Sequence, residues 1–188
     1  MIENSRIKKL ESGAAMIGLL FNPLSGRIRK RKDAIRRALS GIPGATCREV
    51  TNAFEIKASV DAFVHADIDL LVIVGGDGTV QGVLCHLFAT QPLARWPVLT
   101  VIPGGTTNMT ALDLGICGRP EFILQQLRGY LLKQILPVFL QRHVLCIEQA
   151  GAEKVYGMFF GVGLIARAVI FSQSKIKQLG ITGEIYSG

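Results

Sequence analysis

Three short turns rich in glycine and hydroxyl residues are the places where this chain can bind a phosphate group. They span Asn22–Gly26, Gly75–Thr79 and Pro103–Asn108, and each follows an apolar segment. Glycine lets backbone N–H groups approach a phosphate closely, and the N-terminus of a following helix favours negative charge. In a parallel sheet, the turns at the carboxyl ends of the strands meet at one edge. The pattern therefore predicts a single site for a phosphorylated ligand.

The middle turn is the most specific because it places a carboxylate among glycines. Asp77 lies between Gly76 and Gly78, where it can orient Mg²⁺ through water, and Thr79 can bond a phosphate oxygen. The alternative is a tight turn in which Asp77 is only the turn residue and Thr79 caps the next helix. The chain does not fit the usual P-loop, since no Gly-Lys-Ser/Thr stands at the required spacing.

The segments around these turns predict an α/β fold. Strands buried in a parallel sheet are apolar, and so are nearly all residues of three segments, Ala14–Phe21, Asp69–Val74 and Pro97–Ile102. A shorter strand, Cys47–Val50, leads to Thr51. Helical patterns follow the strands at residues 27–39, 53–65, 80–88, 108–115 and 121–132. This alternation predicts a doubly wound, mostly parallel sheet with helices on both faces.

The pattern changes after Pro137, because predicted strands are no longer separated by helices. These strands are His143–Glu148, Val155–Phe160 and Leu164–Phe171. We therefore predict two domains, a nucleotide-binding α/β domain at residues 1–137 and the start of a β-rich second domain at residues 138–188.

Composition argues against several classes of protein. The 21 Lys and Arg residues exceed the 14 Asp and Glu residues, and the net charge of +7 favours anionic partners. The densest basic run, Arg27–Arg37, contains no aromatic residue, which argues against nucleic acid as a partner. Four widely spaced cysteines argue against a disulfide framework or a zinc site and fit a cytoplasmic protein. The longest apolar stretch, Val155–Ala166, is shorter than the ~20 residues that span a bilayer.

The basic run Arg27–Arg37 is predicted to be helical and carries seven Lys or Arg residues and one Asp. One interpretation is a solvated helix face. The other is peripheral contact with an anionic membrane, at the inner membrane surface, where each basic residue contributes ~1 kcal/mol. The sequence does not decide between the two.

The three turns resemble those of the diacylglycerol kinase catalytic domain family, the lipid kinase branch of a group that includes sphingosine and NAD kinases. Val74–Thr79 (VGGDGT) is similar to the turn shared by the whole group. Asn22–Gly26 (NPLSG) resembles the Asn-Pro-x-Ser-Gly turn of the lipid kinases. Pro103–Ala111, with Leu114–Gly115, resembles their Gly-Thr-x-Asn-Asp-x-Ala…Leu-Gly segment. The resemblance covers essentially the whole chain.

This resemblance implies transfer of the γ-phosphate of ATP to the hydroxyl of a lipid alcohol such as diacylglycerol, with Mg²⁺ as a cofactor. It implies a catalytic role for Asp77 and assigns no side chain as a direct metal ligand. For Thr51, the only support for a place in the nucleotide site is its position before a helix. The same position is explained equally well if Thr51 is the N-cap of that helix. The implied nucleotide site contains Asn22, Pro23, Ser25, Gly26, Thr51, Gly75, Gly76, Asp77, Gly78, Thr79, Thr106 and Asn108.

Two features depart from the family pattern. Met109 stands where most of these kinases carry Asp, and a thioether cannot hold a hard cation as a carboxylate can. Family members are longer, and their general base lies in an acidic, glycine-containing segment of the second domain. After Thr79 this chain has five acidic residues, none in such a turn. We therefore expect the 188-residue chain to bind nucleotide but to transfer phosphate poorly, unless Glu148, Glu184 or a neighbouring molecule supplies the base.

Two other functions stay open at this point. An NAD kinase-like enzyme shares the Gly-Gly-Asp-Gly-Thr turn, although the turn ending at Gly26 and the Thr106–Asn108 segment argue against it. The other is a regulatory module that binds nucleotide without catalysis. A nucleotide-binding assay beside a turnover assay separates these classes.

Overall fold

The structure is a computed structural model, which describes residues 4–135 and 138–160. At its centre four parallel strands form one sheet in the order β2-β1-β3-β4. Because β2 lies on one side of β1 and β3 on the other, the direction of winding reverses between β1 and β3. The strands are β1 (Ile17–Phe21), β2 (Ala45–Glu49), β3 (Leu70–Gly75) and β4 (Val98–Pro103).

Helices cover both faces of this sheet, which confirms the predicted doubly wound α/β fold. The apolar clusters show which helices lie where: α3 and α4 pack on one face, and α1, α2 and α6 on the other. The helices are α1 (Asn4–Ser12), α2 (Lys32–Ser40), α3 (Ala53–His65), α4 (Asp77–Thr90), α5 (Met109–Asp113) and α6 (Pro120–Lys133).

The central strand β3 shows why its sequence is apolar at every position. Successive side chains of a strand point to opposite faces of the sheet. Leu71 and Ile73 join the cluster with α3 and α4, whereas Leu70, Val72 and Val74 join the cluster with α1, α2 and α6. All five are at most 5% exposed. A strand covered on both faces needs such a run, and the strand is therefore recognisable from the sequence.

The basic run differs from the prediction of one helix. Residues 27–31 form successive turns, and α2 begins only at Lys32. The N–H groups of Ile28 and Arg29 both donate to the carbonyl of Ser25, at 3.0 Å. These turns bury the Ile28 side chain completely, against Gly104 of the β4 turn. Core packing of this one residue displaces the start of the helix.

An antiparallel hairpin of β5 (Leu145–Ile147) and β6 (Val155–Gly157) follows the α/β part and confirms the predicted change to β-structure. Both strands are shorter than predicted. Tyr156 stacks on Phe88 of α4, with ring centroids 4.3 Å apart, and its N–H donates to Cys85 Sγ at 3.2 Å. The predicted strand Leu164–Phe171 and the predicted domain boundary at Pro137 lie outside the described residues. The division into domains at 137/138 therefore stays a prediction.

Membrane contact also stays a prediction. Within residues 4–135 and 138–160, none of the helices combines the length and the apolar character that crossing a bilayer requires.

Candidate active site

The four strands end at one edge of the sheet, and backbone hydrogen bonds tie their ends together. Asn22 N–H donates to the Val74 carbonyl at 2.9 Å, which joins the end of β1 to that of β3. Gly104 N–H donates to the Gly75 carbonyl at 2.8 Å, which joins β3 to β4. Three of the predicted turns therefore meet where the sheet reverses its winding, the position at which open α/β sheets bind ligands.

The first turn is held in shape by the side chain of Asn22. Its Oδ1 accepts the N–H of Leu24 at 3.0 Å, and its Nδ2 donates to Thr79 Oγ1 at 2.9 Å. The Asn22 side-chain amide thus stabilises its own turn and connects it to the second turn by a hydrogen bond. Pro23 is buried and Ser25 is half-buried. A Cβ on Gly26 would lie 2.9 Å from Thr106 Oγ1, so this turn also touches the third.

The second turn is the start of α4, which begins at Asp77 and not at Val80 as predicted. The N–H groups of Thr79 and Val80 donate to the Gly76 carbonyl, at 2.9 and 3.2 Å. A helix leaves its first N–H groups without a partner in the helix. Here these groups belong to Asp77 and Gly78, and they lie at the edge where the three turns meet.

Thr79 has a different position from the predicted helix cap. It lies inside the first turn of α4 and is 5% exposed, and the N-cap is Gly76, which has no side chain to offer. A Cβ on Gly75 would lie 2.8 Å from Thr79 Cβ, so Gly75 gives Thr79 the room that it occupies. Thr79 is therefore placed to hold Asn22, its hydrogen-bond partner.

The third turn lies directly against the second. A Cβ on Gly105 would come within 2.6 Å of Gly76 Cα, a distance at which backbone must move. Asn108 adopts the left-handed conformation (φ 56°, ψ 43°), which asparagine tolerates better than most residues. Its Oδ1 accepts the N–H of Gly105 at 2.6 Å, and its Nδ2 donates to the Gly105 carbonyl at 2.7 Å. The buried Asn108 side chain thus shapes this loop, whereas Thr106 is exposed.

Asp77 connects the second turn to α5. Its Oδ2 accepts the N–H of Met109 at 3.1 Å, and its Oδ1 accepts the N–H of Thr110 at 2.9 Å. A carboxylate at the start of a helix satisfies N–H groups that have no partner in the helix. Asp77 is therefore more than a turn residue, because it fixes the helix that follows the third turn. Met109, in the position of the missing family Asp, keeps its side chain 44% exposed.

Thr51 lies at the same edge, just beyond β2, but it is not the cap of α3. The N-cap is Asn52, whose Oδ1 accepts the N–H of Glu55 at 3.0 Å. Thr51 donates both its N–H (2.6 Å) and its hydroxyl (2.9 Å) to Glu55 Oε2. These two bonds hold the pKa of the Glu55 carboxyl below its ordinary value. Thr51 is exposed, so its position is compatible with the predicted contact to a ligand.

Arg27, the first residue of the basic run, also lies at this edge, although the sequence predicted no site role for it. Its N–H donates to the Gly104 carbonyl at 2.9 Å, and its Nη2 donates to the Thr106 carbonyl at 3.2 Å. The one feature of the sequence that could have indicated its place at this edge is its position directly after Gly26 of the first turn.

The fold is an open, doubly wound α/β sheet whose glycine turns pack together at the switch point, the position at which such sheets bind ligands. The comparisons with known proteins give the family. The model of the diacylglycerol kinase catalytic domain matches residues 16–138, and the chain belongs to that family.

A curated relative, the diacylglycerol kinase of Bacillus subtilis (strain 168), is 33% identical over 101 residues, which cover 52% of this chain and 32% of the relative. Two solved structures from Bacillus anthracis str. Sterne, one of them described as a diacylglycerol kinase, align with TM-scores of 0.52 and 0.51. Each is 23% identical to this chain, and each alignment covers 61% of this chain. The alignments cover 42% of the first structure and 40% of the second. At that identity the structures support the fold alone. The chain matches less than half the length of these relatives.

Proposed function

We propose that this chain is the nucleotide-binding part of an ATP-dependent lipid kinase, which transfers the γ-phosphate of ATP to a lipid hydroxyl such as that of diacylglycerol. The family supports a kinase, and the site supports a phosphorylated ligand. A lipid as the acceptor rests on the family and on the name of the Bacillus subtilis relative.

The observation that carries the proposal is the surroundings of Gly78. A Cβ added there meets no atom of the described residues within 4 Å, and its φ is not one that excludes other residues. The same holds for Gly129 in α6, so an open position alone does not indicate a ligand. Gly78 differs because it lies in the first turn of α4, at the edge where the three turns meet, and there a glycine leaves a phosphate free access to the first N–H groups.

Phosphoryl transfer needs positioning and charge stabilisation more than covalent chemistry from the protein. The N–H groups of Asp77 and Gly78 would bind phosphate oxygens at the positive end of α4. The Asn22–Thr79 hydrogen bond would hold the first turn beside that helix end. The bonds from Met109 and Thr110 to Asp77 would hold the third turn on the other side. The transferred group would therefore lie against all three turns at this edge of the sheet.

The site offers Mg²⁺ one carboxylate, that of Asp77. In residues 4–135 and 138–160, no group of three His, Cys, Asp or Glu side chains is placed to hold a metal ion. Each Asp77 oxygen accepts one N–H bond, and a carboxylate has about four acceptor positions, so capacity for a water molecule is left. Asp77 would thus hold a hydrated Mg²⁺ through water. The bound ion would neutralise phosphate charge.

The general base for the acceptor hydroxyl is not evident among the described carboxylates of the hairpin region. Glu148, one of the candidates from the sequence, lies 2.6 Å from Lys154 Nζ. The hydrogen bond from Lys154 holds the pKa of Glu148 below its ordinary value, which makes it a poorer proton acceptor. Glu184 lies outside the described residues.

Replacing Gly78 by alanine tests the proposal. The Gly78→Ala chain should keep or slightly raise its melting temperature and should lose ATP affinity, measured by calorimetry. Gly129→Ala is the matched control, because Gly129 also lies in a helix with no atom within 4 Å of an added Cβ. It should bind ATP as the parent does. Equal ATP affinity in both variants and the parent would contradict the assignment of Gly78.

Turnover assays separate the proposed kinase from its alternatives. Labelled ATP would be offered with diacylglycerol, other lipid alcohols and NAD. Phosphorylation of a lipid supports the lipid kinase, and phosphorylation of NAD supports an NAD kinase-like enzyme. Tight ATP binding without transfer, in the longest natural form of the protein, supports a regulatory module.

A further inference from the structure

We propose that Arg27 binds the phosphate chain of the nucleotide and supplies positive charge at the site. This inference rests on the proposed function, because it concerns the same nucleotide. The ligand chemistry is a polyphosphate, and the affinity should depend on its number of phosphate groups.

A hydrogen bond fixes the backbone of Arg27 at the edge of the sheet where the three turns meet. Its N–H donates to the Gly104 carbonyl at 2.9 Å, so its Cα lies between the first turn and the third. The burial of Ile28 against Gly104 anchors the next residue in the core. The side chain of Arg27 therefore starts from a defined point and not from a freely moving loop.

The guanidinium of Arg27 reaches across to the third turn. Its Nη2 donates to the Thr106 carbonyl at 3.2 Å. A guanidinium has five N–H donors in a planar fork that matches phosphate oxygens. One bond to a carbonyl leaves most of these donors available, and the residue is exposed.

Ion pairs distinguish Arg27 from two other arginines of the basic run. Arg31 donates to Glu121 at 3.0 Å, and Arg36 donates to Glu49 at 2.6 Å. Within the part of the chain that the structure describes, Arg27 has no carboxylate partner. Its charge is therefore available to an anion, whereas the charges of Arg31 and Arg36 are already paired.

The site needs a cation of this kind. ATP carries several negative charges, and the one carboxylate within the second turn, Asp77, adds another. In residues 4–135 and 138–160, no group of three His, Cys, Asp or Glu side chains is placed to hold a metal ion that could offset this charge. Arginine binds phosphate with two parallel hydrogen bonds, and such charge-assisted bonds are stronger than those between neutral groups.

A series of nucleotides tests this role in the 188-residue chain. Calorimetry would compare ATP, ADP, AMP and adenosine on the parent, Arg27→Gln, Arg27→Lys and the control Arg37→Gln. Arg37 is an exposed residue of α2, and its replacement removes the same charge. We expect Arg27→Gln to weaken ATP binding about tenfold or more, ADP less, and adenosine hardly at all. Arg27→Lys should retain part of the affinity, and Arg37→Gln should match the parent.

Each outcome has a definite meaning. Equal losses for all four ligands would show that Arg27 only maintains the shape of the turns, and would overturn the proposal. ATP affinity equal to that of Arg37→Gln would also overturn it. Loss of binding to anionic vesicles of phosphatidylglycerol, with unchanged ATP affinity, would assign Arg27 to a membrane instead. If the parent itself does not bind ATP, the proposed function fails, and this result is distinguishable from all the others.

Discussion

Asp77 Oδ1 accepts the backbone N–H of Thr110 over 2.9 Å, although the two residues stand 33 positions apart in the chain. The second carboxylate oxygen accepts the neighbouring N–H of Met109. One side chain thus joins the start of α4 to the start of α5. The position of the third turn over the candidate nucleotide site depends on this pair of bonds.

Replacing Asp77 by asparagine tests this bridge. Asparagine keeps one acceptor oxygen, but its NH₂ group would face a second N–H, so one of the two bonds is lost. We expect the fold to persist, with a loss of about 1–2 kcal/mol in the free energy of unfolding and weaker binding of Mg·ATP. Denaturant titration and calorimetry measure the two effects. The control is Asp113→Asn, which alters an exposed carboxylate at the end of α5 that pairs with Arg142 and accepts no N–H of the turns. Parental stability and affinity in Asp77→Asn would show that the bridge is dispensable.

Replacing Met109 by aspartate should make nucleotide binding depend on Mg²⁺. The new carboxylate would restore the family residue beside the N–H that Asp77 binds. Without metal, a second negative charge repels phosphate, and with Mg²⁺ it adds an oxygen ligand. We expect the ratio of ATP affinity with and without Mg²⁺ to rise by about tenfold, equivalent to ~1.4 kcal/mol. The control is Met109→Asn, because asparagine is similar in size to aspartate but carries no charge. The same ratio in both variants would contradict a metal-related role for this position.

Replacing Gly105 by alanine should separate the second and third turns. The added Cβ would lie 2.6 Å from Gly76 Cα and 3.2 Å from Asn108 Oδ1. Because the nearest atom is backbone, the strain cannot be relieved by a rotating side chain. We expect a loss of about 1–3 kcal/mol in stability together with weaker ATP binding. Thermal unfolding measures the first, with Gly129→Ala as the control. A melting temperature as high as that of the control would mean that the turns lie further apart.

Glu55 gives a prediction about pH. Its carboxyl accepts the N–H and the hydroxyl of Thr51, so its folded pKa lies below the ordinary value of 4.5. A lowered carboxyl pKa adds stability above pH 4.5, and this stability disappears as pH falls through the folded pKa. The parent should therefore melt higher than Glu55→Gln at pH 7, and the difference should shrink as the pH falls through the lowered folded pKa of Glu55. A difference that is constant from pH 7 to pH 3 would contradict this link.

The strands and turns of the α/β part were predictable because their signals are local. The apolar run of β3 reflects burial on both faces, and Gly75, Gly76 and Gly78 mark the turn that follows it. The parallel order of the strands then follows from their alternation with helices. The edge at which the candidate site lies could thus be predicted from the sequence.

The partners of the site residues could not be predicted, because they depend on tertiary contacts. Nothing near Asp77 in the sequence indicates that it binds the N–H groups of Met109 and Thr110. Thr79 matched the pattern of a cap, but the helix begins two residues earlier and buries it. Ile28 is the second residue of a basic segment that favours helix, yet the segment starts with turns, and these bury Ile28 against Gly104.

Helix α1 was also missing from the prediction. Its sequence is mostly polar and has few apolar residues to show a helical period. Leu10 is buried, and Arg6 donates to Asp67 Oδ1 at 2.7 Å, so tertiary contacts hold this helix. Such contacts leave no local pattern in a nine-residue segment.

The stacking of Phe88 between two rings gives this protein a built-in optical reporter. Phe88 lies edge-on to Trp96, with centroids 4.6 Å apart, and its other contact is Tyr156 of the hairpin. Trp96 is the single tryptophan of the chain. Its fluorescence should therefore respond when the hairpin leaves α4, with no label attached. Since α4 begins at Asp77, the same emission can show whether a nucleotide at one end of this helix changes the packing at the other.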